Sequence, residues 1–107
     1  MINIKDEKQF QDVISSGKYV LVKFGANWCG KCRILGNQIP GVEEGLKDIC
    51  DVATIDADEC PKIFDEYSVS HLPVLILFKD GKAVSTRPGV ATAPTIVEYV
   101  KSNIKEK

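Results

Sequence analysis

Two short apolar runs constrain this chain more than any other feature of its sequence. The first spans residues 19–24, Tyr-Val-Leu-Val-Lys-Phe, and the second spans residues 74–78, Val-Leu-Ile-Leu-Phe. Neither run alternates with polar residues, a pattern typical of central strands that are covered on both faces. Lys23 is the only charge in the first run. The runs therefore predict a buried sheet with helices on both sides.

Apolar residues at helical spacing flank these two runs. Asp6 and Gln9 form a capping box that predicts a first helix, which Gly17 can end. A second helix is predicted to begin at Cys29, and Pro40 is expected to kink or break it. The apolar face of that helix recurs at steps of four and three residues: Leu35, Ile39, Val42, Leu46 and Ile49.

Shorter segments complete the predicted order. Three of them are expected to be strands: residues 2–4, 52–55 and 83–87. Asp80 and Gly81 predict a hairpin turn, Pro61 opens a short helix, and Thr92 opens a last helix, after which residues 105–107 are expected to fray. This order predicts an α/β fold, with a central mixed sheet flanked by helices on both faces. Residues 1–107 have the usual size of one domain and are expected to form a single one.

Composition and charge exclude several classes of function. The net charge is −1 with both signs spread along the chain, so no surface for nucleic acid is indicated. The longest apolar run is far too short to cross a bilayer, and residues 1–7 lack the pattern of a secretory signal. We therefore expect a cytoplasmic protein without a membrane partner. Apolar residues make up 44% of the chain, enough for a core that needs no disulfide scaffold.

One stretch carries reactive side chains at a characteristic spacing: Trp28, Cys29, Gly30, Lys31 and Cys32. It opens the second helix, where free backbone N–H groups and the helix dipole stabilise a thiolate on Cys29. Cys32 is near enough to close a disulfide with Cys29 and to release a partner that Cys29 has attacked. Gly30 keeps the loop narrow, so that a partner's backbone can approach. The spacing therefore predicts thiol–disulfide exchange.

The same pair of cysteines could instead be half of a zinc site. A structural zinc ion needs four ligands. The remaining candidates are Cys50, Cys60 and His71, and no two of them are paired at ligand spacing. We therefore expect no metal.

Several features together resemble the thioredoxin family, and the resemblance covers essentially the whole chain. They are the Trp-Cys-Gly-x-Cys stretch, Pro40 within the second helix, residues 71–73 (His-Leu-Pro), the turn at residues 78–81 (Phe-Lys-Asp-Gly) and Gly89. The resemblance implies the thioredoxin fold and a protein-disulfide reductase that uses no bound cofactor. It also implies disulfide-containing proteins as substrates and a thioredoxin-reductase type of electron donor.

The resemblance assigns roles to individual residues. Cys29 corresponds to the attacking nucleophile and Cys32 to the resolving thiol. Pro73 matches the family's cis-proline, which lies against the disulfide and helps to align a partner's chain. The residues implied to contact partners are Trp28, Gly30, Lys31, Leu72, Pro73, Gly89 and Val90.

Three positions depart from the family's pattern. Lys31 stands where proline is usual, and its charge either makes the pair more oxidising or is solvated with little effect. Lys23 stands where a buried aspartate helps to deprotonate the resolving cysteine. As an amine Lys23 could accept that proton, as an ammonium it could favour the thiolate of Cys32, or its head could simply reach solvent. Gly25 replaces a bulky aromatic residue, which thins the packing near the site.

Other residues and functions stay open. Cys50 is expected to be a buried small hydrophobic residue, and His71 is expected to face solvent near the rim. Cys60 precedes Pro61 and is expected in a loop or at a helix start, where an exposed thiol could be glutathionylated or pair with another molecule. Two alternative functions are a more oxidising disulfide exchange protein and a binding module of the same fold with impaired redox chemistry. A monomer is expected, because the sequence indicates no spare apolar surface beyond the partner-binding rim.

Overall fold

A five-stranded sheet runs through residues 1–104, the residues that the computed structural model describes; the predicted fraying of residues 105–107 lies outside them. The strands are β1 (Ile2–Ile4), β2 (Val20–Gly25), β3 (Asp51–Asp56), β4 (Val74–Lys79) and β5 (Lys82–Pro88). Their order in the sheet is β1-β3-β2-β4-β5. β1 and β2 are parallel to β3, whereas β4 is antiparallel to both β2 and β5. The predicted mixed sheet is confirmed.

Helices of the described chain cover both faces of this sheet: α1 (Glu7–Ile14), α2 (Gly30–Gly45), α3 (Pro61–Glu66) and α4 (Ala93–Asn103). The apolar side chains of α1 and α3 pack with Val22 and Phe24 on one face. Those of α2 and α4 pack with Leu21 and Leu75 on the other face. Because successive residues of a strand point to opposite faces, β2 is buried on both, which explains why its sequence lacks polar alternation.

Local sequence signals determine where α1 begins and where the chain turns between β4 and β5. Asp6 caps α1: its Oδ1 accepts the Gln9 N–H at 2.8 Å, and Gln9 Oε1 accepts the Lys5 N–H at 2.7 Å. Between β4 and β5, Asp80 and Gly81 have φ values of 53° and 80°. Tight hairpin turns need this left-handed conformation at both central residues. The cap at Asp6 and the hairpin are confirmed, whereas the Gln9 side chain binds the N–H of Lys5 and not that of Asp6, which a full capping box requires.

The structure bears on two expectations about α2. Of the kink or break expected at Pro40, the break does not occur, because the helix continues to Gly45. Pro40 is exposed and removes only one intrahelical N–H, while Leu35 and Val42 stay packed against the sheet. Ile49, predicted on the buried face, is 41% exposed. The helix has ended before Ile49, so helical spacing no longer decides which way that side chain points.

Candidate active site

Cys29 and Cys32 are brought together at the start of α2, shortly after the end of the buried strand β2. Cys29 is the residue that caps the helix, and its Sγ accepts the backbone N–H of Cys32 at 3.3 Å. Cys29 is partly exposed, whereas Cys32 is only 3% exposed. Both are free thiols in this structure. One sulfur can therefore be reached from solvent, and the other is shielded beside it.

The surroundings lower the pKa of the Cys29 thiol. The largest cause is the hydrogen bond that the Cys32 thiol donates to the Cys29 sulfur. The backbone N–H groups of Cys32 and Lys31 and the positive charge of Lys23 act in the same direction, while partial burial acts against them. Because the thiolate is the nucleophilic form of cysteine, Cys29 is the better nucleophile of the pair.

Burial has the opposite effect on its partner, and the pKa of the Cys32 thiol is raised to about 11. Burial is the largest cause, and the hydrogen bond that Cys32 donates to Cys29 and the negative charge of the Cys29 thiolate add to it. The backbone of Ala26 and the charge of Lys23 act in the other direction but are outweighed. At neutral pH, Cys32 therefore keeps its proton, while Cys29 loses its proton more readily than an ordinary thiol does.

The indole of Trp28 stands at the rim of the site and is held by an acidic turn. Trp28 is 66% exposed, and its Nε1–H donates to Asp58 Oδ2 at 3.1 Å. Asp56 braces the turn, because its carboxylate accepts the backbone N–H groups of Asn27 and Asp58. Sequence analysis assigned no role to either aspartate, since nothing in a sequence pairs a tryptophan with a carboxylate 30 positions away.

The segments around Pro73 and Gly89 meet the end of β2. In the sheet, Val74 is paired with Phe24 on one side and with Pro88 on the other. Pro73 and Gly89 adjoin these residues in the chain, so they lie at the same edge of the sheet as the end of β2. The Gly89 N–H donates to the carbonyl oxygen of Pro73 at 2.9 Å and ties the two segments together.

The exposure of this edge agrees with a surface that can receive another molecule. The peptide bond between Leu72 and Pro73 is cis, as the family resemblance implies. Pro73 is buried, Leu72 and Gly89 are partly exposed, and Val90 is 40% exposed. Apolar groups from two separate segments therefore lie open to solvent beside the end of β2.

Lys23 and Gly25 border a cavity of about 170 Å³. Lys23 is partly buried, and the strand register places Thr54 beside it on β3. Gly25 lies against Cys32: a Cβ atom built on this glycine would be 3.2 Å from the Cys32 sulfur. Lys31, in contrast, is exposed at the surface. The two lysines singled out in the sequence thus occupy different environments.

The remaining cysteines and the histidine lie apart from this chemistry. Cys60 is 2% exposed, so the expectation that it lies exposed is wrong: its side chain packs in the core between the sheet and α3. Cys50 is partly buried, its Sγ donates to the Asp51 carbonyl oxygen at 3.2 Å, and burial raises its pKa to about 12. His71 is exposed, as predicted, and its Nδ1 lies 3.1 Å from Ser70 Oγ.

Within residues 1–104, no three His, Cys, Asp or Glu side chains are grouped so that they could hold a metal ion. In the same part of the chain, each helix is too short or too polar to cross a membrane.

Comparison with known proteins points to one family. The family model described as Thioredoxin matches residues 1–102. The thioredoxin of Chlamydia trachomatis is 33% identical over 103 residues, which cover 96% of this chain and 99% of that protein. Thioredoxin Y2, a chloroplastic protein of Arabidopsis thaliana, is 38% identical over 99 residues, which cover 92% of this chain. The chain spans only 59% of the length of that plant relative.

The fold is likewise similar to a solved structure. The X-ray structure of Fasciola hepatica thioredoxin matches with a TM-score of 0.85, covering 97% of this chain and 100% of that one. The two sequences are 24% identical, so this likeness concerns the fold alone.

Proposed function

The chain belongs to the thioredoxin family of thiol–disulfide oxidoreductases and has the thioredoxin fold, and on this premise we propose that it reduces disulfide bonds of other proteins through Cys29 and Cys32. The observation that carries the proposal is the unequal pair of thiols at the start of α2. Cys29 can be reached from solvent and has a lowered pKa, whereas Cys32 beside it keeps its proton. Such a pair can attack a disulfide and then close on itself.

The reaction takes two displacement steps. The Cys29 thiolate attacks one sulfur of the partner's disulfide, so that a bond between Cys29 and the partner forms and the partner's second sulfur leaves as a thiolate. Cys32 then loses its proton and attacks Cys29 Sγ, which closes the Cys29–Cys32 disulfide and releases the partner's first sulfur. The partner gains two electrons and takes up two protons, while this protein is oxidised. A separate reductant must return the two electrons.

The proposal assigns partner binding to the edge of the sheet beside these thiols. Three apolar side chains support this assignment: the exposed indole of Trp28, the partly exposed Leu72 and the exposed Val90. These apolar groups can cover a partner's disulfide during exchange and exclude water from it. The remaining residues proposed to contact partners lie between or beside them: Gly30, Lys31, Pro73 and Gly89.

The proposal extends to partners and surroundings. We expect disulfide-containing proteins as substrates, a thioredoxin-reductase type of protein as the electron donor, and no bound cofactor. Membership of the thioredoxin family supports the substrates and the donor. We further propose a monomer that works in the cytoplasm, on the grounds of composition and sequence pattern.

A redox titration of the purified protein tests this function. The protein is equilibrated in graded dithiol buffers, its free thiols are alkylated, and the labelled cysteines are mapped by mass spectrometry. We expect Cys29 and Cys32 to oxidise together at a reducing potential, while Cys50 and Cys60 stay free. Reduction of a disulfide-containing protein should be lost in Cys29→Ser and kept in the matched control Cys50→Ser.

Other outcomes would favour the alternative functions. A pair that closes only in strongly oxidising buffer would indicate a disulfide exchange protein with an oxidising role. A pair that never closes reversibly, together with partner binding that survives replacement of both Cys29 and Cys32 by serine, would indicate a binding module.

A further inference from the structure

Lys23 places a positive charge beneath the first turns of α2. It belongs to β2, and its side chain points to the face that α2 covers, because Leu21 two residues earlier packs there. A Cβ atom built on Gly36 would lie 3.5 Å from Lys23 Nζ, so the ammonium lies directly under that residue. Cys32 precedes Gly36 by four residues, so the two lie one turn apart on the same face of α2. The ammonium therefore lies under the helix face that carries Cys32.

Gly25 lets the Cys32 sulfur pack directly against β2. It lies two residues after Lys23 on the same face of β2. Because it has no side chain, the Cys32 sulfur fits directly against the strand, where a Cβ atom would be 3.2 Å away. The cavity of about 170 Å³ is lined by Lys23 and Gly25 and also by the exposed residues Asn3 and Lys5. Several water molecules fit in a cavity of this size, so solvent can reach Lys23 and Gly25.

The other charged groups around the cavity are already engaged. Lys5 Nζ lies 3.6 Å from Glu59 Oε2, and the Asp56 carboxylate accepts two backbone N–H groups. Across residues 1–104, Lys23 has no carboxylate oxygen within 4.0 Å. Its charge is therefore not neutralised by an ion pair. The same charge acts to lower the pKa of both active-site thiols, although it is the smallest of the causes at each, and at Cys32 the opposing causes outweigh it.

We propose that Lys23 is a positioning residue that favours the thiolate of Cys32 in the resolving step. The proposal rests on the function proposed above. Once Cys29 is bound to a partner, its sulfur carries no negative charge and no longer holds the hydrogen bond from Cys32. Two of the causes that oppose ionisation of Cys32 are then gone, while the ammonium of Lys23 stays in place.

The resolving step then needs no basic side chain. The Cys32 proton leaves to solvent water, and the Cys32 thiolate attacks Cys29 Sγ. The disulfide between Cys29 and the partner breaks as the new one forms, and the partner's sulfur leaves with the electron pair and takes a proton from solvent. A partly buried cation promotes the attack by stabilising the Cys32 thiolate, whereas a basic side chain would promote it by taking the Cys32 proton.

Single-turnover kinetics isolate the resolving step. The reduced protein is mixed with a chromogenic aromatic disulfide, such as dithionitrobenzoate, in a stopped-flow instrument. Attack by Cys29 releases the first coloured thiol at a rate that depends on reagent concentration. Attack by Cys32 releases the second at a rate that does not, and the Cys32→Ser variant identifies that phase by lacking it. The rate of the second phase is measured from about pH 5 to about pH 10, a range that spans the ionisation of ordinary thiols.

Three variants decide whether Lys23 acts through its charge. Lys23→Met should slow the second phase about threefold at neutral pH and move its pH profile upward by about half a unit, since one unit of pKa is a tenfold change in thiolate fraction. Lys23→Arg should restore the rate, because arginine keeps the charge but cannot accept a proton. Lys5→Met is the matched control: it removes a lysine of the same cavity and should leave the profile unchanged. If Lys23→Met does not fold, Lys23→Gln provides the neutral variant.

The outcomes separate failure of the proposed function from failure of the role proposed for Lys23. If the wild type shows no second phase, the proposed function itself fails. If the second phase is present and Lys23→Met leaves its pH profile unmoved, only the role of Lys23 is overturned. A uniform loss of rate at every pH would indicate a structural role. A loss that arginine does not restore would indicate that the amine accepts the proton, which also contradicts the proposal.

Discussion

Replacing Gly45 with alanine should destabilise the contact between α2 and α4. A Cβ atom built on Gly45 would lie 2.6 Å from Val97 Cγ2 and 3.3 Å from Val97 Cγ1, whereas carbon atoms in contact are normally about 3.5–4.0 Å apart. Forcing an extra carbon into a packed site costs about 1–3 kcal/mol. The gain from helix propensity is below the usual ~1 kcal/mol, because Gly45 is the last residue of α2. We therefore expect a net loss of about 1–2 kcal/mol in the free energy of unfolding.

Urea denaturation of matched variants measures this loss. Gly36→Ala is the control, because a Cβ atom there would meet only Lys23 Nζ at an ordinary 3.5 Å; it should stabilise the protein by up to ~1 kcal/mol through helix propensity. In a Val97→Ala background, Gly45→Ala should lose most of its cost. The reasoning is refuted if Gly45→Ala unfolds like the wild type, or if its cost is the same with valine or alanine at position 97.

Three further predictions concern the thiols and the rim. Asp58→Ala should raise KM for protein substrates several-fold and change the fluorescence of Trp28, the only tryptophan, because the indole loses its acceptor; unchanged KM and fluorescence would contradict that role. Alkylation of the reduced native protein should label Cys29 first and leave Cys60 unlabelled until denaturant is added, and fast labelling of Cys60 would refute its burial. Because burial raises the pKa of Cys50 from 9.0 to about 12, the neutral thiol contributes its full stability below about pH 9, and this contribution is lost as pH rises toward 12. In urea titrations between these pH values, the free energy of unfolding should therefore fall less steeply with pH in Cys50→Ala than in the wild type. Equal slopes in the two proteins would argue against the raised pKa.

Much of the fold was predictable because its central strands are buried on both faces. A strand such as β2 must be apolar throughout, so its sequence is recognisable without knowledge of its neighbours. The errors fall at residues that flank the ends of helices. Ile49 continues the apolar spacing of α2 but lies beyond its last residue, and Cys60 looks like a loop residue although its side chain enters the core. Where a helix ends and which way its flanking residues turn depend on tertiary packing.

The candidate site was predictable only in part. The thiols Cys29 and Cys32 are close in sequence, so their pairing follows from helix geometry alone. The hydrogen bond from Trp28 to Asp58 joins two loops 30 residues apart, and no local pattern indicates it. The close approach of Cys32 to Gly25 and of Lys23 Nζ to Gly36 arises only once α2 is packed on the sheet, so no local pattern indicates either contact.

The direction of β4 explains why the redox pair and its partner-binding edge come together. A strand's first residues lie at the opposite end of the sheet from the last residues of a parallel neighbour. Because β4 is antiparallel to β2 and to β5, its start at Val74 instead meets the end of β2 at Phe24 and the end of β5 at Pro88. The segments carrying Pro73 and Gly89 are thereby placed beside the loop that leads from β2 to Cys29. A parallel β4 would put its beginning at the far end of the sheet, so the mixed topology predicted from the hairpin is a condition for this site and not only for the fold.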